Sequence, residues 1–90
     1  MGAEVRFQPT PNPNAGTFSA DRQIVAGRAS RSYYSAAQAA GDPLAAQLFE
    51  VEGVASLFMV EDFVTVTKLP DAEWQLLAPR ILAIMQRTLG

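Results

Sequence analysis

The sequence predicts an α+β fold: a two-layer sandwich in which a mainly antiparallel sheet of four to five strands carries two main helices on one face. Three observations predict it. Gly53 to Leu69 holds two runs rich in Val, Phe and Thr around the polar pair Glu61-Asp62, the pattern of a β-hairpin. Asp42-Pro43 opens a stretch with apolar residues at helical spacing, and a second such stretch runs from Ala72 to about Leu89. Period-two segments nearer the N-terminus supply further strands. Ninety residues suggest a single domain over 1–90.

Ala3 to Gln8 alternates, with Val5 and Phe7 on one side and Glu4, Arg6 and Gln8 on the other, and Pro9 stops the strand. Thr10-Pro11-Asn12-Pro13-Asn14 follows. Each proline fixes its own φ and extends the residue before it, and the asparagines can close turns on their own backbone. The loop is therefore stiff; it reads as a turn between strands or as a rigid recognition surface. A second strand is expected near Thr17–Ala20, a break at Ala26-Gly27, and a third strand within Arg28–Tyr34. Arg22, Arg28 and Arg31 with Tyr33-Tyr34 read either as a loosely basic anion site or as a solvated sheet edge.

Ser35 caps a short helical turn closed by Gly41, and Asp42 caps a helix with Pro43 at its first position. Leu44, Leu48 and Val51 share one face of that helix, with Phe49 beside them, and Gly53 supplies the left-handed residue beyond its end at about residue 52. In the hairpin, a two-residue loop at Glu61-Asp62 pairs Met59 with Val64, Leu57 with Val66 and Ala55 with Lys68 on the core face. Val60–Phe63, Phe58–Thr65 and Ser56–Thr67 fall on the other. Neither loop residue tolerates positive φ as glycine does, so a register slip is the competing arrangement. Asp71 is expected to cap the last helix, whose stripe is Trp74, Leu77, Ile81, Ile84 with Met85, and Thr88. Pro79 should kink that helix near Gln75–Pro79 without breaking it.

Composition narrows the chemistry. The net charge is −2 with signs interspersed, so no basic stripe is available for nucleic acid. No apolar run approaches the ~20 residues of a membrane span, and no charged-then-apolar leader is visible, so a cytoplasmic protein is expected. Apolar residues make up 49%, but fifteen are alanine, so the core must come from the larger side chains of the hairpin and helices. The sequence has no cysteine and no histidine, which removes thiolate ligands, imidazole ligands and the usual general base. The carboxylate pairs Glu50/Glu52, Glu61/Asp62 and Asp71/Glu73 lack the spacing of a dedicated Ca²⁺ or Mg²⁺ site. No catalytic, cofactor or metal residue is assigned, and no enzyme is expected. A deep pocket holding Lys68, Ser56 or Tyr33 would revive a small enzyme. What remains is recognition. Phe58, Val60 and Phe63, with Thr65 and Thr67, lie on the sheet face that helices on the opposite side leave open, and Asn12, Pro13 and Asn14 form the stiff loop. These eight residues are the candidate partner-binding surface. The competing reading is that Phe7, Phe18 or the Pro-Asn loop folds over the patch.

Taken together, Thr10-Pro11-Asn12-Pro13-Asn14, Pro43-Leu44-Ala45, Leu48-Phe49, Glu52-Gly53-Val54, Leu57-Phe58, Asp62-Phe63-Val64-Thr65-Val66-Thr67-Lys68, Trp74 and Pro79-Arg80-Ile81 resemble the N-terminal domain of the Nfu/NifU-like iron–sulfur scaffold proteins. In that family a Cys-x-x-Cys motif in a separate C-terminal domain holds the cluster, and residues 1–90 contain neither. The resemblance therefore implies the N-terminal module's role: a non-enzymatic accessory that recognises iron–sulfur assembly or client proteins, with the cluster reached only through a partner. A direct iron or cluster carrier acting through oxygen ligands or dimerisation is the alternative, and a small enzyme the second. A monomer is expected, with no nucleic-acid or membrane partner.

Overall fold

The computed structural model describes residues 3–25, 27 and 29–89. The elements run β1 (Val5–Pro9), β2 (Ala15–Ala20), β3 (Ser30–Tyr33), α1 (Ala36–Ala39), α2 (Pro43–Phe49), β4 (Val54–Val60), β5 (Phe63–Lys68) and α3 (Trp74–Leu89). The strands form one antiparallel sheet in the order β1-β2-β5-β4-β3. This is the expected two-layer α+β sandwich, with five strands. Arg28 and Ala26, which the sequence reading put in a basic patch and a break, lie outside the described residues.

The β4–β5 hairpin has the register that a two-residue loop dictates: Val60 opposite Phe63, Met59 opposite Val64, Leu57 opposite Val66. Glu61 takes φ of 51°, a conformation that costs a residue with a Cβ. The cost is offset by the β2–β3 connection, which passes beneath the turn. The backbone N–H groups of Ile24 and Val25 both donate to the Glu61 carbonyl, at 2.7 and 3.0 Å. One expected pair is corrected. A bulge between Val54 and Ser56 places Val54, not Ala55, opposite Lys68. Such an extra residue bends the strand where pairing ends.

Alternation sends Phe18, Leu57, Met59, Val64 and Val66 to one face, where they are buried with Leu44, Leu48, Leu77, Ile81 and Met85 of the helices. Ser35 and Asp42 cap α1 and α2 as expected; their side chains accept from the N–H of Gln38 and Ala45. The last turn of α2 tightens, with Glu50 N–H donating to Gln47 and Val51 N–H to Leu48, so the helix ends at Phe49, short of residue 52. Gly53 then turns the chain at φ of 103°.

The start of α3 also needs correction. The helix begins at Trp74, and the carbonyl of Glu73, not the side chain of Asp71, receives the first helical N–H groups, from Leu76 and Leu77. Its buried stripe is Leu77, Ile81 and Met85; Trp74, Ile84 and Thr88 are half-buried at its margins. A strict i, i+4, i+8 line is the narrow stripe one helix presents to a flat sheet. The helix continues through Pro79 as one element. No helix among the described residues is long and apolar enough to cross a membrane.

Candidate interaction surface

The strands present their second set of side chains away from the helices. Thr17, Thr65, Phe58 and Ser32 form one row across β2, β5, β4 and β3, and Ser19, Phe63, Val60 and Ser30 form the next. Ala15, Thr67 and Ser56 make a third, shorter row. Val60 and Phe63 are directly opposed, and Phe58 lies two residues along the same face, so the three apolar side chains are contiguous. Phe58 is 41% exposed, and Val60 and Phe63 are half-buried. None of the three joins the core cluster. Thr65 and Thr67 flank them, half-buried. The patch has an apolar centre and a hydroxyl rim.

Phe7 and Phe18 do not cover this patch. They sit on the helix side, where Phe7 stacks against Phe18 at 4.9 Å and against Trp74 at 5.2 Å between ring centres. The Pro-Asn loop is held on that side too. The Trp74 indole N–H donates to the Pro13 carbonyl at 3.0 Å, and the Lys68 ammonium donates to Asn14 Oδ1 at 3.1 Å. Asn12 Oδ1 accepts from the Asn14 N–H at 2.9 Å, closing an Asx turn. The eight candidate residues thus divide into two groups. Phe58, Val60, Phe63, Thr65 and Thr67 share the open face. Asn12 and Pro13 are exposed at a loop pinned to α3, while the Asn14 side chain is occupied by Lys68.

Lys68 is 8% exposed and its partners among the described residues are neutral oxygens: Asn14 Oδ1 and the Leu69 carbonyl at 3.4 Å. Arg31, read in the sequence as part of either an anion site or a solvated sheet edge, lies exposed on the edge strand β3 and is paired inside the chain. Its Nη1 and the Tyr33 hydroxyl each donate at 3.1 Å to Asp42 Oδ2, while Asp42 Oδ1 caps α2. Burial, followed by the hydrogen bond to the Asp42 carboxylate, raises the Tyr33 phenol above its ordinary value, which is the wrong direction for a base near neutral pH. Asp42 was visible as a helix cap; its link to β3 joins residues nine and eleven positions apart through a fold that spacing does not reveal.

One surface cleft, of about 400 Å³, is lined by Glu52, Gly53, Leu69, Asp71, Ala72, Glu73, Leu76, Leu77 and Arg80. Another, of about 370 Å³, lies beside the β4–β5 turn among Asp21, Arg22, Gln23, Gly27, Glu61 and Asp62. Neither contains Lys68, Ser56 or Tyr33. Among the described residues no three Asp or Glu side chains come together as a metal site would require.

The architecture defines a small α+β domain that offers an open sheet face. The chain belongs to the Nfu/NifU family: the family described as "Scaffold protein Nfu/NifU N terminal" matches residues 5–90. A human relative, "NFU1 iron-sulfur cluster scaffold homolog, mitochondrial", is 41% identical over 80 residues, covering 88% of this chain and 31% of the relative. "NifU-like protein 5, mitochondrial" of Arabidopsis thaliana is 36% identical over 81 residues, 90% of this chain and 29% of that protein. The chain thus spans about 30% of the length of these relatives. Among solved structures, the NifU-like protein of Saccharomyces cerevisiae superposes with a TM-score of 0.87 at 26% identity, covering 98% of this chain and 79% of that one. Protein SAV1430 of Staphylococcus aureus superposes at 0.79 with 28% identity, over 93% of this chain and 98% of that one.

Proposed function

We propose that this chain is a non-enzymatic module of iron–sulfur cluster assembly or delivery that recognises partner or client proteins through the open face of its sheet. The observation that carries the reading is Phe58, 41% exposed, in a contiguous apolar strip with Val60 and Phe63 on a face outside the core. Family membership and the scaffold names of the relatives supply the pathway. Residues 1–90 contain no cysteine or histidine, so thiolate or imidazole ligation of a cluster has to come from outside them. The cluster is cargo held by the partner, and this chain supplies recognition.

The test is site-specific. A photo-crosslinking amino acid replaces Phe58 in one version of the chain and Gln86, on the exposed side of α3, in another. Crosslinking in cells from Phe58 should yield proteins of cluster assembly or proteins that carry clusters, and from Gln86 it should not. Equal yields from both positions, or products from Phe58 with no link to iron–sulfur chemistry, would refute the reading.

A further inference from the structure

The 400 Å³ cleft lies away from the open sheet face, where the turn after α2, the β5–α3 loop and the first turns of α3 meet. Its frame is built. Leu69 N–H donates to the Gly53 carbonyl at 2.8 Å, and Ala72 N–H donates to the Leu69 carbonyl at 3.0 Å, tying the two loops together. Gly53 lets them approach, since a Cβ there would sit 2.9 Å from the Ala72 methyl. Leu77 is buried beneath, while Leu69 and Leu76 stay 47% and 61% exposed. The cleft therefore combines a closed apolar floor with two leucine side chains whose surface is uncovered.

The rim is acidic. Glu52, Asp71 and Glu73 face one cation, Arg80, around the cleft. The ion pairs among the described residues are Asp21–Arg22 and Asp42–Arg31, so none of the three rim carboxylates forms a close ion pair with another described residue. Glu73 immediately precedes α3, where the helix dipole favours a negative charge. The sequence places Glu52 at the end of one helix and Asp71 and Glu73 at the start of another; in the fold all three lie outside the helices and border one hollow.

We propose that this cleft docks a flexible protein segment presenting a leucine-sized apolar side chain flanked by lysine or arginine. The apolar group covers Leu69 and Leu76 above the buried Leu77, and the flanking cations meet Glu52, Asp71 and Glu73. Charge complementarity selects this occupant over an acidic or neutral one. The site is separate from Phe58, Val60 and Phe63, so the module has two apolar recognition surfaces that differ at the rim: one edged by hydroxyls, one by carboxylates.

Backbone amide NMR of the 90-residue chain tests the assignment with three synthetic peptides: Gly-Ser-Lys-Leu-Lys-Ser-Gly, Gly-Ser-Glu-Leu-Glu-Ser-Gly and Gly-Ser-Lys-Ser-Lys-Ser-Gly. The first should move the amide signals of Gly53, Leu69, Ala72, Leu76 and Leu77 and weaken with added salt; the other two should leave them in place. Glu73→Gln and Glu52→Gln should each weaken binding roughly two- to fivefold, the range of an exposed ion pair. Leu76→Ala, at an exposed position, should weaken it further without altering the fold. The assignment is overturned if the acidic peptide shifts the same signals, if the changes fall on β4 and β5 instead, or if millimolar Lys-Leu-Lys peptide moves nothing. It is equally overturned if calcium chloride alone shifts those signals, or if they move with protein concentration without peptide, since a cation or a second copy of the chain would then be the occupant.

Discussion

Replacing Asp42 with alanine is expected to destabilise the chain by more than the loss of a helix cap. The carboxylate is 9% exposed and makes three contacts: Oδ1 with the Ala45 N–H at 3.2 Å, and Oδ2 with the Tyr33 hydroxyl and Arg31 Nη1, both at 3.1 Å. Removing the cap costs about 1 kcal/mol. Losing the half-buried Tyr33 hydroxyl's charged acceptor adds about 1 kcal/mol, at the low end for a hydrogen bond to an ion because water can reach the phenol. The Arg31 pair is open to solvent and contributes little. The expected cost is therefore about 2 kcal/mol, enough to lower the melting temperature by roughly 8–16 °C in a domain of this size. Urea titration followed by far-ultraviolet circular dichroism measures it. Asp42→Ser is the informative companion: it keeps a capping oxygen but cannot reach β3, so it should recover about 1 kcal/mol of the loss. If Asp42→Ala costs no more than Asp42→Ser, or if either costs less than about 0.5 kcal/mol, Asp42 does not join α2 to β3 as the geometry indicates.

Four other outcomes are expected from the sequence and the fold. Leu57→Ala should cost about 2–5 kcal/mol, whereas Phe58→Ser, one residue along the same strand, should leave the urea midpoint nearly unchanged, because only Leu57 faces the helices. Gly53→Ala should cost about 2 kcal/mol or more, since φ of 103° and an Ala72 methyl 2.9 Å away both oppose a Cβ; an unchanged midpoint would mean that the loop is free to move. Tyr33 is held in its neutral form above its ordinary value of 10.0, so its contribution is complete below about pH 10 and is lost as pH climbs through the raised value. A Tyr33→Phe chain should lose less stability between pH 9 and pH 12 than the native one, as urea midpoints across about that range would show. Anaerobic incubation with iron and sulfide followed by desalting should leave no visible absorbance on the chain, and stoichiometric protein-bound iron would contradict a role confined to recognition.

Much of this fold was legible because its determinants are local. Period two in Val5–Phe7 and in the hairpin marks strands, and the polar pair Glu61-Asp62 sets the register of Leu57, Met59, Val64 and Val66. Ser35 and Asp42-Pro43 announce helix starts through contacts three residues away. The misjudged points depended on distant partners. Asp71 has a capping residue's chemistry, yet the loop tied to Gly53 delays the helix until Trp74. The Val54–Lys68 pairing follows from a bulge that no alternation pattern shows. Which face Phe7 and Phe18 take was open until β1 and β2 joined the sheet beside β5, with Trp74 packed over both rings.

The residues alone thus decide what the chain is made of and what it lacks: alternating strands, capped helices, and no thiolate or imidazole donor. The assembled sheet decides what is presented. Trp74 reaches Pro13 across 61 residues and Lys68 reaches Asn14 across 54, so the Pro-Asn loop is held against the helix layer and Phe58, Val60 and Phe63 stay uncovered. The physical reason is range. Turns, caps and alternation are settled by neighbours within a few residues, whereas an uncovered face exists only once every other element has found its place.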